Sequence, residues 1–141
     1  MKINEIMTQD VEVIQPGATI QEAAEKLRAF NVGSLPVCNG ENLVGMITDR
    51  DIALRLAALG RDPGRTKVEE IMTAEVLWCF EDQTIEDAGR MMKENQIRRL
   101  PVISHDRKLV GILSLGDLAI KTDALEEVGE TLQEISEAAT A

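Results

Sequence analysis

Apolar residues fall along this chain in short groups, some at helical spacing and some as compact runs. Ile20, Ala23, Ala24 and Leu27 stand at i, i+3, i+4 and i+7, one apolar stripe of a helix. Thr19 ahead of the stripe, with Glu22 three residues on, forms a capping-box pattern that predicts the helix start. Upstream, Val11-Glu12-Val13-Ile14 is a β-rich run ended by Pro16-Gly17, and it predicts a strand. Downstream, Leu35–Cys38 and Leu43–Ile47 flank a polar turn and predict a hairpin. A further helix is predicted to open at Thr48.

The same order then recurs. Glu5-Ile6-Met7-Thr8 returns as Glu70-Ile71-Met72-Thr73, from position 5 to position 70, an offset of 65. That offset carries Thr19-Ile20 to Thr84-Ile85, Ala23 to Ala88, and Leu35-Pro36-Val37 to Leu100-Pro101-Val102. Beyond the hairpin turn it becomes 66, taking Leu43-Val44-Gly45 to Leu109-Val110-Gly111 and Asp51 to Asp117. A turn is where a one-residue slip is tolerated. The second stripe is Ile85, Ala88, Gly89 and Met92, and the second closing helix is predicted from Ser114. Each copy thus reads strand, helix, strand, strand, helix.

The boundaries expected are 1–59 for the first copy, 60–67 for a linker, 68–122 for the second copy and 123–141 for a tail. Gly60-Arg61-Asp62-Pro63-Gly64-Arg65 supplies the breakers and charge of the linker. In the tail, Leu125, Val128, Leu132, Ile135 and Ala139 recur at spacings of 3 and 4, predicting an acidic amphipathic helix weakened by Gly129.

Composition narrows the partners. The 141 residues carry 25 acidic against 15 basic side chains, a net charge of −10, which argues against nucleic acid and anionic membrane surfaces. A small phosphate ligand is still compatible, because local donors act at short range. No apolar run approaches a membrane span and the start MKINEIMTQD lacks a signal-peptide apolar region, so a cytoplasmic location is expected. Cys38 and Cys79 have no metal-ligand spacing and read as reduced core thiols. With one Trp, two Phe and no Tyr, aliphatic residues and Met must build the core.

Chemistry is concentrated where each hairpin runs into its closing helix. Gly45-Met46-Ile47-Thr48-Asp49-Arg50-Asp51 and Gly111-Ile112-Leu113-Ser114-Leu115-Gly116-Asp117 both place a hydroxyl three residues before an Asp. A helix N-terminus suits a phosphate, and a carboxylate one turn along suits a ribose diol. The same Thr-x-x-Asp and Ser-x-x-Asp pairs also make a helix cap, and a single copy reads first in that way. His105, the one histidine, lies in a polar turn with no nucleophile and orienter around it, so no catalytic set is expected. Trp78 reads as core, with stacking on a ligand ring as the other reading.

Ile-Met-Thr, Thr-Ile-x-x-Ala, Leu-Pro-Val and Leu-Val-Gly followed by hydroxyl-x-x-Asp, all occurring twice, resemble a tandem pair of CBS (cystathionine-β-synthase) domains, a Bateman module. The resemblance covers about residues 1–122. It implies an α/β (α+β) fold of two β-α-β-β-α repeats packed sheet to sheet with pseudo-twofold symmetry and ligand clefts between them. It also implies a regulatory, non-catalytic role, with AMP, ADP, ATP or S-adenosylmethionine as ligand and no required cofactor or metal. On this resemblance Asp51 and Asp117 are the ribose carboxylates, and Thr48 and Ser114 contact ribose or phosphate. Arg98, beside Arg99, is the basic phosphate contact. Gly33-Ser34 replace that pair in the first copy, where Arg50 is the partial substitute, so unequal sites are expected. The adenine is expected near Met46 and Ile112. A homodimer is expected from exposed apolar helix faces and the amphipathic tail, and for a chain this short either a client protein supplied in trans or a separate sensor role is expected. A structural assembly domain with empty pockets is the alternative.

Overall fold

The structure, a computed structural model, describes residues 1–121, so the tail helix expected over 123–141 lies outside the described residues. The chain divides into two units that cut across the sequence repeats: Glu12–Val76, and Met1–Val11 together with the chain from Leu77 on. We call them the N-proximal and C-proximal units.

In the N-proximal unit, α1 (Ile20–Phe30) starts at the predicted cap, where Thr19 Oγ1 accepts from the Glu22 N–H at 3.1 Å. Its stripe residues Ile20, Ala23 and Leu27 are buried, and Asn31 ends it in the left-handed region at φ 52°. The antiparallel hairpin β1 (Ser34–Asn39) and β2 (Asn42–Thr48) follows, with Ser34 opposite Thr48 and Pro36 opposite Met46. The closing helix α2 (Asp49–Ile52) widens into one π turn over Ala53–Ala57 and stops at Gly60, φ 68°. The short α3 (Val68–Ile71) completes the unit. Its core joins Ile14, Leu35, Val37, Ile47 and Leu56 to Val68 and Ile71, residues that belong by sequence to the second repeat.

The C-proximal unit mirrors this plan. It contains β3 (Cys79–Phe80), α4 (Ile85–Asn95), the hairpin β4 (Arg99–Ile103) and β5 (Leu109–Ser114), and α5 (Leu115–Lys121). Its core joins Cys79, Ala88, Met92, Leu100, Val102 and Leu113 to Ile3, Ile6 and Met7 from the start of the first repeat. Each Ile-Met-Thr motif therefore packs on the hairpin of the other repeat. Thr73 exchanges both backbone hydrogen bonds with Met46 at 2.9 Å, and Thr8 does the same with Ile112. Met72 and Met7 lie over Gly45 and Gly111, where a Cβ would come within 2.8 and 2.7 Å of the respective sulfur. The recurring glycine is explained by this close approach.

Two expectations are corrected. The run Val11–Ile14 is not a strand: Ile14 alone makes a parallel bridge, to Val37. Val13 faces away from β1, its carbonyl accepting from the Lys26 ammonium at 2.7 Å, and the ladder cannot extend toward Glu12 because Pro36 has no N–H to donate. In the second copy the strand shrinks to Cys79–Phe80, parallel to β4, and leaves Trp78 outside it. Trp78 is half-buried and outside the core cluster. It sits edge-on to Phe80 at 4.9 Å between ring centroids, with Arg107 5.8 Å above it. Phe80 in turn stacks on His105 at 4.4 Å. The segment read as a linker is ordered by its own polar groups. Gly64 N donates to Asp62 Oδ1 at 2.8 Å, and the Arg61 guanidinium donates to Glu70 at 2.7 Å.

Candidate functional site

Each unit brings its predicted site residues to one corner, where the hairpin's second strand enters the closing helix. In the N-proximal unit Thr48 Oγ1 accepts from the Asp51 N–H at 3.0 Å, and Asp51 Oδ2 accepts from the Thr48 N–H at 3.1 Å. In the C-proximal unit Ser114 Oγ accepts from the Asp117 N–H at 3.0 Å, and Asp117 Oδ2 accepts from the Ser114 N–H at 2.9 Å. The capping reading of both pairs is therefore realised. It does not exhaust the carboxylate, which has about four acceptor positions. Asp51 Oδ2 is held by the cap, while Oδ1 has as its near partner Arg55 Nε at 3.9 Å, beyond hydrogen-bond length. A capped Asp51 thus retains an oxygen that can accept from a hydroxyl.

The second strand of each hairpin is sealed beside the corner. Met46 and Ile112, both half-buried, have their backbone N–H and C=O groups taken by Thr73 and Thr8. Only their side chains remain to contact a ligand.

The two corners share one backbone geometry and differ in charge. The Asp49 N–H donates to the Gly33 carbonyl at 3.0 Å, and at the matching place the Leu115 N–H donates to the Arg98 carbonyl at 3.0 Å. Gly33 leaves a space against which the Asp49 carboxylate lies, 3.4 Å from where a Cβ would stand. The N-proximal corner therefore combines Gly33, Ser34, Asp49 and Arg50, with no net charge. The C-proximal corner combines Arg98, Arg99, Leu115 and Gly116, with two positive charges. Arg98 and Arg99 are exposed and can swing toward an anion. Arg50 is exposed too, and its backbone N–H donates to Asp49 Oδ1 at 2.8 Å.

Arg55 and the two threonines Thr8 and Thr73 were not singled out from the sequence. Arg55 had a signal, lying four residues after Asp51 on one helix face, with Lys121 at the matching place after Asp117. The threonines recur in the Ile-Met-Thr motif, but that repeat gives no sign of what they contact, because their partners lie in the other repeat.

Other features stand apart from the corners. His105 Nε2 lies 2.9 Å from Asp82 Oδ2, and this contact holds the Asp82 carboxyl below its ordinary range. Burial raises the Cys38 thiol to about 11 and the Cys79 thiol to about 12. Both are thus protonated core residues at neutral pH. Among the described residues, no group of three or more His, Cys, Asp or Glu is placed to hold a metal ion, and no helix is long and apolar enough to cross a membrane.

The chain is a mixed α/β protein of two small sheets, a duplicated module in which each hairpin ends in a hydroxyl–carboxylate corner. The CBS domain profile matches residues 3–58 and 68–121, and the chain belongs to the CBS-domain family as a tandem pair. It is 45% identical over 134 residues to the CBS domain-containing protein YhcV of Bacillus subtilis, covering 95% of this chain and 94% of that protein. It is similar in structure to Hypoxic Response Protein I, solved with two coordinated zinc ions. The TM-score is 0.76 at 33% identity, covering 84% of this chain and 97% of that one. CBSX2, solved in complex with AMP, matches with a TM-score of 0.75 at 32% identity, covering 89% and 96%. Tandem CBS domains are regulatory ligand-binding modules.

Proposed function

We propose that this protein is a non-catalytic sensor of adenosyl ligands. AMP, ADP, ATP or S-adenosylmethionine engages its ribose at Asp51 or Asp117, with Thr48 or Ser114 beside it. The observation that carries the reading is the corner built twice, in which a partly buried carboxylate caps its helix through one oxygen, and at Asp51 the other oxygen stays beyond hydrogen-bond length from its near partner. The AMP complex of CBSX2 supports an adenine nucleotide. The charge difference favours phosphate at the corner with Arg98 and Arg99, while Arg50 is the basic residue of the other. Met46 and Ile112 supply apolar contact for the adenine. The protein works in the cytoplasm as a homodimer, and ligand reaches a client protein by favouring one of two states, which requires different affinity for each.

Exposed Phe30, Leu54 and Leu59, at 50, 52 and 70% of their full area, favour a second reading, an assembly domain whose corners only cap helices.

A thermal-shift panel with AMP, ADP, ATP, S-adenosylmethionine and GTP separates the two. A ligand at about 100 times its Kd stabilises by about 2.7 kcal/mol. The sensor reading expects an adenine-selective shift that Asp51→Ala or Asp117→Ala abolishes while the variant stays folded. Nucleotide-free protein that responds to none of the five would establish the assembly reading instead.

A further inference from the structure

Arg55 is held between the Asp51 carboxylate and the main chain of α3. Its Nη1 donates to the Ile71 carbonyl at 3.1 Å and reaches the Met72 carbonyl at 3.5 Å. These two carbonyls fix the guanidinium. Its Nε then faces Asp51 Oδ1 at 3.9 Å, close enough for an ion pair and too far to consume the oxygen's lone pairs. The Asp51 side chain is 14% exposed and that of Arg55 53%, so the acid is the more buried member of the pair. The other carboxylate oxygen is tied to the Thr48 N–H.

We infer that Arg55 is a positioning residue for ligand binding at Asp51, an inference that rests on the sensor reading above. The guanidinium does not touch the ligand. It keeps Oδ1 oriented outward from the cap, and it offsets the charge of Asp49 and Asp51, the two acids in the first turn of α2. A diol then meets an acceptor already aimed, without the entropy of fixing it. Because the same guanidinium is bonded to Ile71 and Met72, the position of α3 and the orientation of the ribose carboxylate are set by one side chain. Lys121 stands at the matching position after Asp117, so a base four residues beyond the Asp is a feature of both copies.

The test uses the full chain carrying Asp117→Ala, which leaves the Asp51 corner as the one under study. Binding of AMP and of 2′,3′-dideoxy-AMP is measured by calorimetry for this protein and for its Arg55→Gln and Arg55→Lys variants. Arg55→Gln is expected to weaken AMP about fivefold, the upper range for a half-exposed pair, and to leave dideoxy-AMP unchanged. Arg55→Lys is expected to recover most of the loss. A merely structural role would weaken both ligands alike, and that result overturns the inference, as does an unchanged AMP affinity in Arg55→Gln. Binding by the wild type that Asp117→Ala abolishes would overturn it while leaving the sensor reading intact. Absence of AMP binding by the wild type would overturn both.

Discussion

Gly45 lies where two segments from different repeats meet, and replacing it with Ala makes a direct measurement of that contact. A Cβ at this position would stand 2.8 Å from the Thr73 carbonyl oxygen and 2.8 Å from Met72 Sδ. The thioether end can swing aside. The carbonyl cannot, because it accepts from the Met46 N–H at 2.9 Å while the Thr73 N–H donates back to the Met46 carbonyl at 2.9 Å. Ordinary contact begins near 3.4 Å, so the carbonyl must retreat by about 0.6 Å, the difference from 2.8 Å. That stretches the bridge to the limit of a hydrogen bond, a loss of about 1 kcal/mol. Overpacking of the buried strand adds about 1–3 kcal/mol. The expected loss is therefore about 2–4 kcal/mol, or roughly 8–16 °C in Tm at about 4 °C per kcal/mol for a chain of this length. Urea and thermal unfolding of Gly45→Ala, with Gly17→Ala as control, read it out. A Cβ at Gly17 meets nothing within 4 Å, so the control is expected to stay near wild type. Combining Gly45→Ala with Met72→Ala relieves only the sulfur contact and is not expected to restore stability. A Gly45→Ala protein within about 0.5 kcal/mol of wild type, the usual range of harmless surface changes, would refute the packing argument.

Four further outcomes are expected. The native thiols of Cys38 and Cys79 should resist a disulfide reagent at pH 8 and react on unfolding in urea. Because burial raises both thiols above their ordinary 9.0, the unfolded chain ionises first, and stability should fall as pH climbs from about 9 toward 12. At the acid end, the Lys67 N–H and the Arg61 guanidinium hold the Glu70 carboxyl below its ordinary 4.5. Its contribution is present above that value and lost as pH falls through the folded value, so Glu70→Gln should flatten the acid limb of a urea-midpoint titration. Converting the N-proximal corner to the charge of its counterpart, with Gly33→Arg and Asp49→Leu together, should raise affinity for AMP relative to adenosine. Calorimetry should register about tenfold, from two exposed charges at up to about 1 kcal/mol each.

Much of this protein was legible in its sequence because the signals are local. Thr19 and Glu22, or Thr84 and Asp87, are three residues apart, and a helix start brings such a pair together wherever it forms. The hairpins follow from apolar runs around a turn, and the hydroxyl–carboxylate corners follow from a strand leading into a capped helix. The duplication was visible because the same local solutions recur at a fixed offset.

What the tertiary structure decided is which repeat each segment serves. The chain order places Ile6-Met7-Thr8 before the first hairpin, yet it packs on Gly111 and Ile112 of the second, while Ile71-Met72-Thr73 packs on Gly45 and Met46 of the first. The two motifs are alike, so periodicity and propensity are the same for either pairing. The choice rests on contacts between residues far apart in sequence. The same holds for Arg55, whose partners Ile71 and Met72 lie beyond the linker. Local pattern determined the elements and the capped corners; long-range packing, where one backbone group can satisfy only a limited set of partners, determined what stands against them.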